Sequence, residues 1–110
     1  MFDKNKLQEL NFQNLISVSP LLKNIEYFIF YGTLLGIIRE NNIIKGDDDI
    51  DFLVNHKFKK TLLRRMKLDK SFKVNKKVCN EYFIQYIKKY KGLKTFVDFY
   101  FYVNNSKKNL

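Results

Sequence analysis

Apolar positions in the first quarter of the chain recur at helical spacing: Leu7, Leu10, Leu15, Ile16 and Val18, then Leu21, Leu22 and Ile25. Asp3 stands where a helix cap would, and its charge suits the positive end of a helix dipole. Ser19-Pro20 interrupts the run, because proline biases the residue before it away from helix and itself fits a helix's first position. The pattern predicts two helices, or a helix and a turn, with a packing role and no chemistry of their own.

From residue 26 to 30 the chain turns aromatic and β-branched (EYFIF), which predicts a strand. Gly32-Thr33 ends that strand in a sharp turn, and residues 34–40 read as a short amphipathic helix. Residues 41–46 read as a loop. Residues 49–54 (DIDFLV) alternate, so Asp49, Asp51 and Leu53 share one face of a strand and Ile50, Phe52 and Val54 the other. Residues 56–69 place Phe58, Leu62, Leu63 and Met66 on one helical face with a basic face opposite. Residues 71–78 are compatible with a short strand. Residues 81–88 and 94–103 are aromatic and alternating around a turn at 89–93 that contains Gly92, the pattern of a β-hairpin. In its second strand Thr95, Val97, Phe99 and Phe101 share one face, and Phe96, Asp98, Tyr100 and Tyr102 the other. There is no internal repeat, and residues 104–110 read as a frayed polar tail. The predicted fold class is α/β (α+β), with a small mixed sheet of about four strands. Helices pack on one side, and the acidic residues lie at a sheet edge.

Composition narrows the class. A chain of 110 residues makes one small domain, and 45% hydrophobic with 16% aromatic residues supplies a core. The lone Cys79 cannot form an internal disulfide, so a reducing, cytoplasmic setting is expected. No window approaches the ~18 apolar residues of a membrane span, and the N-terminus has no apolar signal core. The net charge of +10 could attract phosphates, nucleic acid or anionic membrane, or reflect compositional drift. The lysines are spread along the chain and form no single arm, which does not favour a nucleic-acid partner. Arg64-Arg65 and the neighbouring lysines read as a solvated helix face, and His56 as a surface residue.

The acidic residues break this pattern. Four of the 11 fall at Asp47, Asp48, Asp49 and Asp51, inside an otherwise apolar run. Carboxylates this close repel unless a cation neutralises them. Strand geometry puts Asp49 and Asp51 on one face, about 7 Å apart at Cα. So placed they can share Mg²⁺ (or Mn²⁺), with Asp47 as a further ligand if the extended conformation continues back through it. A calcium-binding loop is excluded: Phe52 stands where glycine is needed and Phe58 where glutamate is needed. A solvated acidic turn would explain Asp47 and Asp48, but not aspartates interleaved with an apolar strand. Asp98 is a single carboxylate in a strongly apolar strand and must meet a cation, either the same metal or a buried Lys or Arg. Gly32-Thr33 between a strand and a helix N-terminus is a possible phosphate cradle, or an ordinary capped turn.

Gly32-Thr33-Leu34-Leu35-Gly36-Ile37-Ile38-Arg39-Glu40, a short loop, then Asp47-Asp48-Asp49-Ile50-Asp51, resembles the signature of the LicD/fukutin family of the nucleotidyltransferase superfamily. The superfamily pattern is a Gly-Ser-type turn after a strand, an Asp-x-Asp on the next strand and a third carboxylate on a later one. Gly32-Thr33, Asp49/Asp51 and Asp98 stand in that order. The specific match covers about a quarter of the chain. The resemblance implies a minimal nucleotidyltransferase-like catalytic core spanning residues 1–110. It implies transfer of a phosphorylated group, such as phosphocholine or a polyol phosphate, from a CDP-linked donor to a glycan hydroxyl in cell-surface polysaccharide modification (lipopolysaccharide or capsule). Asp49, Asp51 and Asp98 would be catalytic and metal-binding; Gly32, Thr33 and Arg39 would contact the donor's phosphates, or Arg39 would hold the acidic loop. Two departures stand out. The family's aromatic residue before the aspartates is replaced by Lys45-Gly46, and the chain stops seven residues after Val103, where family enzymes continue. A partner subunit, a homo-oligomer, a small acceptor or a truncated inactive copy is then expected. The alternatives are a minimal enzyme transferring NMP from an NTP to a small molecule or protein, and a non-enzymatic basic binding protein, which leaves the aspartates unexplained.

Overall fold

The computed structural model describes residues 4–30, 33, 37 and 48–103. Asp3, Gly32, Arg39, Asp47, the loop expected over 41–46 and the tail 104–110 lie outside the described residues. Of the helix expected over 34–40, Ile37 is described and is helical, as is Thr33 just before it.

Helix α1 (Lys4–Val18) is followed by a 3₁₀ turn at Ser19–Leu22, the break that Pro20 predicts. Then come β1 (Tyr27–Phe30), β2 (Asp49–Asn55), a 3₁₀ turn (His56–Phe58), α2 (Lys59–Met66), β3 (Lys73–Val74), β4 (Phe83–Tyr90) and β5 (Leu93–Tyr102). The five strands form one mixed sheet in the order β1-β2-β5-β4-β3. The β2–β5 pair is parallel and the other three pairs are antiparallel. Parallel neighbours need a crossover. Here it carries α2, β3 and β4.

Strand alternation divides the sheet into two faces. Ile50, Phe52 and Val54 of β2 stand in register with Val97, Phe99 and Phe101 of β5, and all six are buried. Phe52 and Phe99 stack with centroids 5.4 Å apart. Val18, Leu22, Ile25, Leu62 and Met66 close over this face, so the helices pack on one side as expected. Arg65 holds α2 to the preceding turn by donating to the carbonyls of Leu21 (2.9 Å) and Lys23 (2.7 Å). It is thus a clamp, whereas Arg64 is exposed.

Two details differ from the sequence expectation. The buried face of α1 uses Leu7, Leu10, Asn11, Asn14 and Val18, while Ile16 is 57% exposed. Asn14 is tolerated there because its amide donates to Thr95 Oγ1 (2.8 Å), and that hydroxyl donates on to the Lys88 carbonyl (3.0 Å). The hairpin turn is also tighter than 89–93. Lys91 and Gly92 alone connect β4 and β5, with φ of 46° and 86°. Two consecutive positive φ values are what a type I′ turn requires, and its twist matches that of the strands.

Candidate metal centre

On the second face, parallel register sets Asp51 of β2 directly beside Asp98 of β5, with Asp49 one alternation away. The three are brought together with carboxylate oxygens all within 4.8 Å of one another. Both strands are interior to the sheet, β2 lying between β1 and β5. The acids therefore do not sit at a sheet edge as expected, because β1 pairs along the outer side of β2. Asp51 and Asp98 are almost fully buried and Asp49 partly so.

Thr33 fixes the first strand's backbone at this point. Its buried hydroxyl accepts a hydrogen bond from the Asp51 N–H at 2.9 Å. Gln85 fixes the third acid, donating its side-chain amide to Asp98 Oδ1 at 2.9 Å. Among the described residues no Lys or Arg forms an ion pair with Asp98. Among those residues the buried basic partner considered from sequence is not present. Burial pushes the Asp98 carboxyl above the usual aspartate range; the hydrogen bond from Gln85 and those with Asp51 and Asp49 act against this, and the Asp48 charge adds to it. Three carboxylates in so small a space, two of them desolvated, need protons or a cation between them. An all-oxygen donor set of this kind suits a hard divalent ion.

Gln85 is the site residue that sequence reasoning missed. The signal was present in the turn: once Lys91-Gly92 is taken as a two-residue connection, Tyr90 pairs with Leu93 and counting back sets Gln85 opposite Asp98. An aromatic bank flanks the acids on the same face. Phe30, paired with Asp51, lies edge-on to Tyr100 (5.5 Å), and Tyr100 lies 4.8 Å from Phe83. His56 bonds Glu81 at 2.6 Å and is not part of the acidic group.

The family profile of the LicD/FKTN/FKRP nucleotidyltransferase domain matches residues 24–109, most of the chain. The chain belongs to this family. Neither curated proteins nor solved structures gave a match. As a LicD/FKTN/FKRP domain the protein is, in general kind, a transferase, and its three clustered aspartates could bind a metal ion. Among the described residues no helix is long and apolar enough to cross a membrane.

Proposed function

We propose that residues 1–110 form a single metal-dependent catalytic core that moves a phosphorylated group from a CDP-activated donor to a hydroxyl of a glycan. The observation that carries this reading is the convergence of Asp49, Asp51 and Asp98 in a LicD/FKTN/FKRP domain. Asp49 and Asp51 hold Mg²⁺ or Mn²⁺ from one strand and Asp98 from the next, with Asp47 a further candidate ligand. The bound ion supplies neutralisation of the donor's diphosphate and of the charge that develops as it is cleaved.

The protein's own groups do the positioning. Thr33 and Gln85 fix the acids through the hydrogen bonds above. The acceptor oxygen forms the new P–O bond at the donor's distal phosphorus, and the P–O bond to CMP breaks. CMP departs with the electron pair, and the acceptor's proton passes to a carboxylate of the cluster. Gly32, Thr33 and Arg39 are assigned to the donor's phosphates.

The second reading, NMP transfer from an NTP, is favoured by the nucleotidyltransferase description of the domain itself. Thermal unfolding with Mg²⁺ or Mn²⁺, alone and with CDP-choline, CDP-ribitol, CTP or ATP, separates the two. A bound ligand raises the midpoint by mass action. A metal-dependent rise with a CDP-alcohol, lost in Asp49→Asn/Asp51→Asn, supports the first reading. A rise with CTP or ATP but no CDP-alcohol supports the second, and no response to either metal sinks both.

A further inference from the structure

The acid-bearing face continues past the metal centre. Register runs from Asp49 to Phe96 on β5, from Phe96 to Ile87 on β4, and from Ile87 to Lys73 on β3. The row ends at a groove of ≈ 460 Å³ lined by Lys70, Ser71, Lys73, Ile87 and Lys89. That volume is in the range that holds a small ligand. Lys70, Lys73 and Lys89 are exposed, and among the described residues none is in an ion pair. Asp69, the nearest carboxylate in sequence, is engaged by Ser71, accepting from its N–H (3.0 Å) and its hydroxyl (2.5 Å). Lys88, one position from Lys89, lies instead over the buried Phe72 ring on the opposite face. Three ammonium groups thus line one groove with no paired carboxylate among the described residues, and an anion would relieve their mutual repulsion.

We infer that this groove seats the phosphate of a phosphate-bearing saccharide that serves as acceptor, with Ile87 as an apolar floor for a sugar ring. The inference rests on the transferase reading above. Three strand spacings separate β3 from β2, about 14 Å across the sheet. A short oligosaccharide held by its phosphate at Lys73 and Lys89 spans that distance and presents a distant hydroxyl to the aspartates. The surface lysines, which composition alone leaves ambiguous, then have a definite role at one place.

Calorimetric titration at low salt tests this, with glucose 6-phosphate, glucose, inorganic phosphate and a short oligothymidylate as probes. The variants are Lys73→Gln/Lys89→Gln in the groove, Lys67→Gln/Lys76→Gln as an exposed pair of equal charge elsewhere, and Asp49→Asn/Asp51→Asn. Glucose 6-phosphate is expected to bind without metal, and to bind roughly tenfold more weakly in the groove variant. The charge-matched pair and the aspartate pair are expected to leave that binding unchanged. Equal weakening in the charge-matched pair, or none in the groove pair, overturns the site. Inorganic phosphate binding as tightly as the sugar phosphate overturns the saccharide assignment, and so does tighter binding of the oligothymidylate. Sugar-phosphate binding in a wild-type chain that does not respond to Mg²⁺ or Mn²⁺ overturns the transferase reading and the acceptor role with it, while the anion groove stands.

Discussion

Asp98 and Glu26 are two carboxylates on the same face of the same sheet, and their surroundings push them in opposite directions. Glu26 is exposed and accepts from the Asn55 amide (2.7 Å) and the Tyr102 hydroxyl (2.6 Å). Those hydrogen bonds, Asn55's first, hold it below the usual glutamate range. Asp98 has one neutral donor, Gln85, two acidic neighbours and little solvent, and burial pushes it up. A carboxylate satisfied by neutral donors is complete as it stands. One set among other carboxylates, with no Lys or Arg paired to Asp98 among the described residues, is an arrangement that a divalent ion could neutralise.

The largest effect on stability comes from the scaffold beneath both. Phe99 is fully buried between Phe52 and Tyr86. Phe99→Ala is expected to cost about 3–5 kcal/mol in urea unfolding, enough to blur the distinction by loosening the whole β2–β5 pair. Asp98→Asn sharpens it. Without metal the variant gains about 1 kcal/mol, because a desolvated negative charge is gone, yet the thermal response to Mg²⁺ disappears. A retained response would remove Asp98 from the site. Thr33→Val leaves the Asp51 N–H without its acceptor, which is expected to cost about 1–2 kcal/mol and to weaken metal binding through Asp51's position. Glu26→Gln has the smallest effect and does not change the metal response.

The pH dependence of the metal-free protein separates the two carboxylates by sign. Asp98 has a folded value above its unfolded one. Its contribution is present below the unfolded value and is lost as pH rises through the folded value. Glu26 has a folded value below its unfolded one. Its contribution is present above the unfolded value and is lost as pH falls through the folded value. Unfolding measured across the acid range should lose the first trend in Asp98→Asn and the second in Glu26→Gln. Metal binding should weaken in acid, since ligand carboxylates must shed protons to bind.

The acids and the core strands were legible in sequence because period-two alternation is a local signal. It put Asp49 and Asp51 on one face, Asp98 on the matching face of a later strand, and Phe52 and Phe99 in the core. What alternation cannot carry is which strands become neighbours. The acids were expected at an edge because nothing local says that β1 lies outside β2 or that β5 pairs with it in parallel. That Asn14 lies on the buried face of α1 is hidden for a similar reason, since its partner Thr95 is supplied by a distant strand. Gln85 was hidden by a turn drawn too long, an error of register and not of pattern.

The β4–β5 hairpin is closed by a two-residue turn, whereas Asp51 and Asp98 are nearly half the chain apart and meet through a parallel pairing. Local hairpins close in microseconds, and non-local pairings are the slow part of folding. The acidic cluster is therefore expected to be absent from a half-folded chain and to be completed when β2 docks against the hairpin. An ion that recognises this late arrangement has little to grip in the transition state. In stopped-flow experiments Mg²⁺ should leave the refolding rate nearly unchanged and slow unfolding, as a latch on the finished fold would.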